Sequence, residues 1–402
     1  MSEHIAIKRR QFVTTAALGL AAGAFAQFGP ANAQTSQPMS RTIVPVIPGS
    51  HTTFGSLKQV NAGELNVGYV DMGPTTGTPV LLLHGWPYDI HSFVDVAPAL
   101  AAAGYRVLVP HLRGYGTTRF LSDATPRNGQ QAALVADALN LLDALKIDKV
   151  ILGGFDWGGR TACALAALWP ERCKGLVAAS GYTIASQEDQ ALKPLPPGKE
   201  REWWYIFYFA TDRGQLGYGQ YTSDFVRMTW ELASPKWRFD DATFERSAPA
   251  FKNPDHVAVS VNSYRWRLKL AEGEAKYDEI ERKLAAHPTI GIPTITLEGD
   301  TNGALHPEPA SYAKYFTGRY EHRQLTGGIG HNLPQEAPQA FAQALIDVDK
   351  SYDWSQSRCA SCTPHRRRSP RLQFDGRISA IAAAERLRQR NLLTERLGVE
   401  RE

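Results

Sequence analysis

Apolar and polar positions change their spacing several times along the chain, and each change marks an element. Leu65–Val70 and Pro79–Leu83 read as strands, the second a continuous apolar run of the kind buried on both faces. Phe93–Ala103 predicts a helix and Arg106–Val109 a strand. Gln130–Leu145 carries apolar residues at helical spacing, and Lys149–Phe155 is another buried strand running directly into a glycine-rich turn. Thr161–Trp169 predicts a helix, and Leu176–Ser180 the next strand. Strand and helix alternating at this spacing predict an α/β fold, a mostly parallel sheet flanked by helices.

The alternation stops at Tyr182. The following stretch reads as helical and is rich in aromatics, with six of the seven residues Trp203-Trp204-Tyr205-Ile206-Phe207-Tyr208-Phe209 aromatic. Strand character returns at Pro293–Leu297 and His322–Thr326, and Pro338–Val348 closes as a helix. The expected organisation is a sheet core over 57–181 and 286–350 with a helical lid inserted over 182–285. Residues 34–56, with Pro38, Pro45 and Pro48, read as a linker, and 351–402 as a basic, arginine-rich tail expected to be disordered.

Charge changes the picture once it is divided. The 402 residues hold 44 Lys+Arg and 40 Asp+Glu, but the body from 34 to 354 carries 30 positive and 34 negative side chains. An acidic body is no footprint for nucleic acid. Four cysteines in this length exclude a disulfide scaffold, and Cys359-Ala360-Ser361-Cys362 stands without a second pair, so no metal or cofactor is expected. No stretch matches the ~20 strongly apolar residues of an ordinary membrane span.

At the start, Lys8-Arg9-Arg10 precedes a weakly apolar Ala/Gly segment ending in Ala31-Asn32-Ala33. This resembles a twin-arginine signal with its cleavage site. It implies passage through the Tat export machinery to the periplasm or beyond, with no stable span after removal of residues 1–33.

The chemistry gathers at three places. Gly153-Gly154-Phe155-Asp156-Trp157-Gly158-Gly159 has the form of a nucleophile elbow with Asp where Ser usually stands. No G-x-S-x-G occurs anywhere in the chain, which speaks against an ordinary serine esterase. His84-Gly85-Trp86-Pro87 follows a strand directly, and Gly327-Gly328-Ile329-Gly330-His331-Asn332 follows the last one.

Together these resemble the α/β-hydrolase fold, in particular its epoxide hydrolase and haloalkane dehalogenase branch, over roughly residues 57–350. The resemblance implies Asp156 as nucleophile and His331 as general base. It also implies an oxyanion hole made by the backbone N–H groups of Trp86 and Trp157. His84 is expected to be structural. The family's acid usually ends a G-x-x-D turn, where this chain has Gly299-Asp300-Thr301-Asn302. Asp300, two residues early, is the expected acid, the alternative being that Asn302 merely orients the histidine. Two lid tyrosines donate protons in epoxide hydrolases, and the matching positions are Tyr205 and Tyr264, with Tyr208 as substitute for the first and a substrate contact.

An aspartate nucleophile attacks saturated carbon and leaves an alkyl ester that activated water then hydrolyses. The implied activity is therefore epoxide hydrolysis of a small apolar substrate. Haloalkane dehalogenation and a catalytically weak binding member of the fold are the alternatives. Fluoroacetate dehalogenases carry Arg after the nucleophile to grip a carboxylate. Trp157 in that place speaks against them, although Arg160 is suitably placed for a second arginine.

Overall fold

The structure, a computed structural model, describes residues 43–359, with side chains to Tyr352. The expected export signal, the first part of the linker, Cys362 and the tail beyond Cys359 lie outside the residues so described, whereas 351–359, expected to begin a disordered tail, continue the helix Pro338–Cys359.

Nine strands of these residues form one sheet. They are β1 (Lys58–Ala62), β2 (Leu65–Met72), β3 (Thr78–Leu83), β4 (Tyr105–Pro110), β5 (Arg119–Phe120), β6 (Val150–Gly154), β7 (Cys173–Ala179), β8 (Thr294–Gly299) and β9 (Tyr320–Leu325). Their spatial order is β1-β2-β4-β3-β6-β7-β8-β9, with β5 paired onto β2. From β4 to β9 every pairing is parallel, whereas β1, β2 and β5 pair antiparallel. The inner parallel strands are the ones with unbroken apolar runs. Val80–Leu83 of β3 and all of β6 are buried, as parallel strands covered on both faces must be. The two edges, β1 and β9, carry polar residues, and Arg323 on β9 pairs with Glu321 and Asp347.

Helices Val96–Ala102, Gln131–Ala144, Asp156–Leu168 and Pro338–Cys359 flank the sheet. The expected strands are all present within a few residues. Two departures have clear causes. Lys58-Gln59-Val60-Asn61-Ala62 is too polar to announce itself as a strand, because an edge strand has little to bury. The helix expected from Thr161 begins five residues earlier at Asp156. Its first turn contains Gly158 and Gly159, poor helix formers that close packing requires. A Cβ on Gly158 would stand 1.9 Å from the carbonyl oxygen of Leu83.

Between β7 and β8 the chain forms eight α-helices and no strand, so the sheet is interrupted where the aromatic-rich stretch stands in the sequence. The parallel order then sets the site. β3 and β6 are neighbours, with Leu83 opposite Gly154, so the turns that follow them emerge side by side. β8 and β9 are paired in the same direction and deliver Glu298–Asn302 and Gly327–Asn332 to the same carboxyl edge. That edge is where open parallel sheets hold their ligands.

Candidate active site

Asp156 opens its helix with a positive φ of 51°. For a residue other than glycine this backbone costs about 1–2 kcal/mol, and surrounding contacts must hold it. The reason lies in the side chain. It is turned toward the end of β3, where Gly85 leaves room for it, since a Cβ there would lie 2.5 Å from Asp156 Cβ. Two backbone N–H groups converge on Oδ1: Trp86 donates at 2.8 Å and Trp157 at 2.6 Å. Oδ2 lies 3.7 Å from His331 Nε2. Burial alone would raise the Asp156 pKa. The His331 contact, the Trp86 N–H and the positive charge of Arg267 outweigh it and hold the group below its ordinary value. The carboxylate is thus ionised at neutral pH, with one oxygen fixed and the other free to react.

His84 is structural, as its sequence context implied. It is fully buried and donates from Nδ1 to Gly85 O at 2.9 Å, while Nε2 accepts the Leu112 N–H at 3.2 Å. Burial pushes its pKa down to about 4, so it braces the turn as a neutral ring.

The partner of His331 is Asn302, and Asp300 is not. His331 Nδ1 lies 3.1 Å from Asn302 Oδ1. Asp300 instead accepts the backbone N–H groups of Gly327, Gly328 and Ile329 at 3.0, 2.9 and 2.9 Å. It sits two residues too early in the turn to reach the ring, and it ties down the loop that carries His331. Three hydrogen-bond donors hold its pKa below the ordinary carboxylate range against a desolvation that would raise it.

Behind Asn302 stands a carboxylate that no motif in the sequence marks. Glu298, at the end of β8 and only 3% exposed, accepts Asn302 Nδ2 at 2.9 Å and the Gly299 N–H at 3.1 Å. Asn302 Nδ2 also donates to Ser180 Oγ at 3.2 Å. A carboxylate can only accept, so the amide NH2 faces Glu298 and the amide oxygen faces the ring. Nδ1 then carries a proton, and Nε2 is the nitrogen that faces Asp156, placed to take a proton from water once that carboxylate has become an ester. The chain Glu298–Asn302–His331 thus fixes the tautomer a base requires without a carboxylate touching the ring. Glu298→Gln is expected to slow whatever step uses His331 as a base by about 10- to 100-fold, the effect of losing one charge-assisted hydrogen bond. Single-turnover rates across pH check this, and coincident profiles for variant and parent would remove Glu298 from the chain.

The loop of His331 is also fastened to the helical insertion. Ser234, directly after helix Thr222–Ala233, accepts the His331 N–H on Oγ at 2.9 Å and donates to Glu336 Oε1 at 2.7 Å. Glu336 in turn accepts the N–H groups of Gly330 at 2.7 Å and Asn332 at 3.0 Å.

A cavity of about 410 Å³ opens above Asp156 and His331, and Tyr205 and Tyr264 both line it. Helix Trp204–Phe209 buries Ile206 and Phe209, which presents Tyr205 to Trp86 with ring centroids 5.0 Å apart. Tyr264, from helix His256–Arg267, meets Tyr205 edge-to-face at 5.3 Å. Burial and, after it, the nearby Asp156 charge raise the phenol of Tyr205, while burial and its neighbours Tyr205 and Asp156 raise that of Tyr264. Both phenols are therefore protonated donors. Tyr208 is not a cavity residue. It stacks on Phe225 at 6.2 Å and packs against Gly217, since three residues fall about 60° short of a full turn and set it further along the helix axis. Arg160, already noted in the sequence as suitably placed for a second arginine, lines the cavity, and so does Arg267, which the aromatic sequence of the insertion did not announce.

Comparison with known proteins identifies the fold. Residues 78–214 match the family model described as alpha/beta hydrolase fold. A crystal structure from Klebsiella pneumoniae, provisionally named an epoxide hydrolase, is 61% identical with a TM-score of 0.73, covering 74% of this chain and 98% of that one. Epoxide hydrolase 3 of Siraitia grosvenorii is 38% identical over 118 residues, which is 29% of this chain and 36% of that protein. A haloalkane dehalogenase of Psychrobacter cryohalolentis is 36% identical over 129 residues, 32% of this chain and 41% of its own length. The chain thus spans a little over a third of the length of the curated relatives it first matches.

Proposed function

The chain belongs to the α/β-hydrolase fold family, and from that premise we propose that it is an epoxide hydrolase working through an alkyl ester on Asp156. One observation carries the choice of epoxide: two protonated phenols, the half-buried Tyr205 and the buried Tyr264, line the cavity that holds the Asp156 carboxylate. In this reading Oδ2 attacks an oxirane carbon, the ring C–O bond breaks, and a tyrosine proton passes to the departing alkoxide. Water then gives a proton to His331 Nε2 and attacks the Asp156 carboxyl carbon. The negative charge formed on Oδ1 falls between the N–H groups of Trp86 and Trp157, already 2.8 and 2.6 Å away. Collapse expels the diol oxygen, which takes the proton from His331 Nε2. The carboxyl proton left on Asp156 passes back to the tyrosinate, so that diol is released and carboxylate, imidazole and phenol are all restored. Glu298 and Asn302 act as positioning residues, which argues for a turning-over enzyme over a weak binding member of the fold.

Haloalkane dehalogenation is the second reading, on one observation. The buried indole N–H of Trp157 has no hydrogen-bond partner, and a leaving halide takes such a donor. The indole lines a small void beside Arg160 and not the main cavity, so the epoxide reading comes first. Export by the twin-arginine route belongs to the same proposal, supported by Lys8-Arg9-Arg10 and Ala31-Asn32-Ala33. A parallel assay with styrene-type epoxides and bromoalkanes tests the function. Diol release with no bromide is the expected result, and bromide release without diol would reverse the order of the two readings.

A further inference from the structure

Among the described residues Arg160 and Arg267 have no acidic partner within ion-pair distance, although both line the cavity above Asp156. Arg160 stands one helical turn after Asp156, on the same helix, and its Nε donates to Thr183 O at 2.9 Å. Its two terminal nitrogens make no hydrogen bond. Arg267 ends helix His256–Arg267 on the opposite wall and is only 6% exposed. Its guanidinium lies 4.6 Å from the centroid of the Tyr264 ring and 6.0 Å from that of Trp157. Ring faces hold it in place and use none of its five donors. Nearby acids are engaged elsewhere: Asp156 by its two N–H donors, and Glu281 by Gln130, Gln131 and the Ala132 N–H.

Two such cations on one cavity are costly to dehydrate. A neutral, apolar substrate filling the space would strip water from both and leave their donors unmet. Burial, and after it the repulsion of Arg267, lower the Arg160 pKa against the attraction of Asp156, so the one nearby carboxylate does not offset both cations. Something negative completes this wall. Its size is indicated too. A second void of about 10 Å³ is lined by both arginines, Trp157, Thr161, Ser263 and Gln131, room for about one oxygen atom. The indole N–H of Trp157, a residue that lines this void, is buried and unpartnered.

We propose that the substrate is a small epoxide bearing a carboxylate, gripped between Arg160 and Arg267 with one carboxylate oxygen directed toward the Trp157 indole. The proposal rests on the epoxide reading above and narrows its substrate class. The second cation comes from the far wall and not from the position after the nucleophile. A void of about 10 Å³ holds about one oxygen and no tetrahedral phosphate, and both arginines that line it also line the main cavity, as the two oxygens of one carboxylate require. The grip also removes an electrostatic obstacle, because an ionised Asp156 repels an anionic substrate unless that charge is offset first. The charge balance then suits the reaction. The substrate charge stays on the arginines throughout, and only the oxirane oxygen takes a proton.

Binding can be measured without turnover. Cyclopropanecarboxylate has the shape of an oxirane carboxylate but no ring oxygen to expel. Calorimetric titration of the full chain with this acid is expected to show affinity at least about tenfold above that for cyclopropanecarboxamide. Arg160→Gln and Arg267→Gln should each remove about that factor, and Arg267→Lys should restore part of it. Equal affinity for acid and amide would overturn the proposal. So would bromide competing as well as the carboxylate, since the void would then be a halide pocket. Oxirane-2-carboxylate and its methyl ester separate the two levels of the argument. If the acid analogue binds as expected and neither epoxide is opened, the reaction class is wrong and the grip stands. If styrene-type epoxides are opened and the acid analogue does not bind, the reaction class stands and the grip is wrong.

Discussion

His331→Gln protein incubated with an epoxide is expected to become heavier by one whole substrate molecule and to stay so. Oδ2 of Asp156 needs no base to attack, since the group is held ionised by its surroundings. Ester formation therefore survives the substitution. Hydrolysis does not, because the water that attacks the ester must lose its proton to Nε2, which lies 3.7 Å from Oδ2. A general base is worth about 10²–10⁴-fold, so the ester outlives ordinary handling and intact-protein mass spectrometry reads it directly. Asp156→Ala should show no adduct. A bromoalkane would leave a smaller increment, lacking the halogen and a proton, so one spectrum also distinguishes the two reaction classes. Unmodified His331→Gln protein after exposure to both substrates would end the covalent mechanism.

Replacing both lid phenols is expected to block the earlier step. Tyr205→Phe with Tyr264→Phe keeps the rings, which meet each other edge-to-face and pack on Trp86, so the cavity wall is preserved. What disappears is the proton for an alkoxide, whose strong basicity makes it a poor leaving group. Epoxide opening should fall by about 10²–10⁴-fold, with adduct formation from a bromoalkane nearly unchanged. Stopped-flow or quenched single turnovers with each substrate check this. A double variant that alkylates equally fast from an epoxide would return the tyrosines to a packing role. The single variants report which phenol serves, and either alone should retain part of the rate because the second donor faces the same space.

The sheet was legible because its central strands must be apolar on both faces, and Pro79–Leu83 and Lys149–Phe155 say so in sequence. The elbow was legible because a left-handed Asp156 and the close approach of Gly158 to Leu83 permit very few residue types. Legibility failed where function depends on a contact between segments far apart in the chain. Asp300 satisfied a search for an acid near the usual place, and nothing local reveals that its oxygens are occupied by Gly327–Ile329. Glu298 lay one residue past the strand read over Pro293–Leu297, where a carboxylate reads as the start of a solvated turn. Its direction follows only from the pairing of β8 with β7 and β9. Tyr208 shared an aromatic run with Tyr205, and only the phase of a six-residue helix separates them. Arg267 was invisible for the same reason as Glu298. A single cation at a helix end is unremarkable until the fold sets another beside it.

Ser234 joins two things that enzymes often keep apart. Its hydroxyl holds the backbone of His331 while its own backbone belongs to the helical insertion. Admission of the substrate and readiness of the base are therefore not independent settings. Any reactant bulky enough to prop helix Thr222–Ala233 outward draws Ser234 from the His331 loop after Asp156 has already been alkylated. Such a molecule enters the reaction and cannot leave it. It becomes a covalent inactivator, consumed to one equivalent and no further, and the boundary between substrate and poison is set by size alone. Quenched-flow bursts with epoxides of increasing bulk would show this as a burst of constant height followed by a vanishing steady rate. Steady rates that hold up with bulk would show that the hydroxyl lets go without consequence.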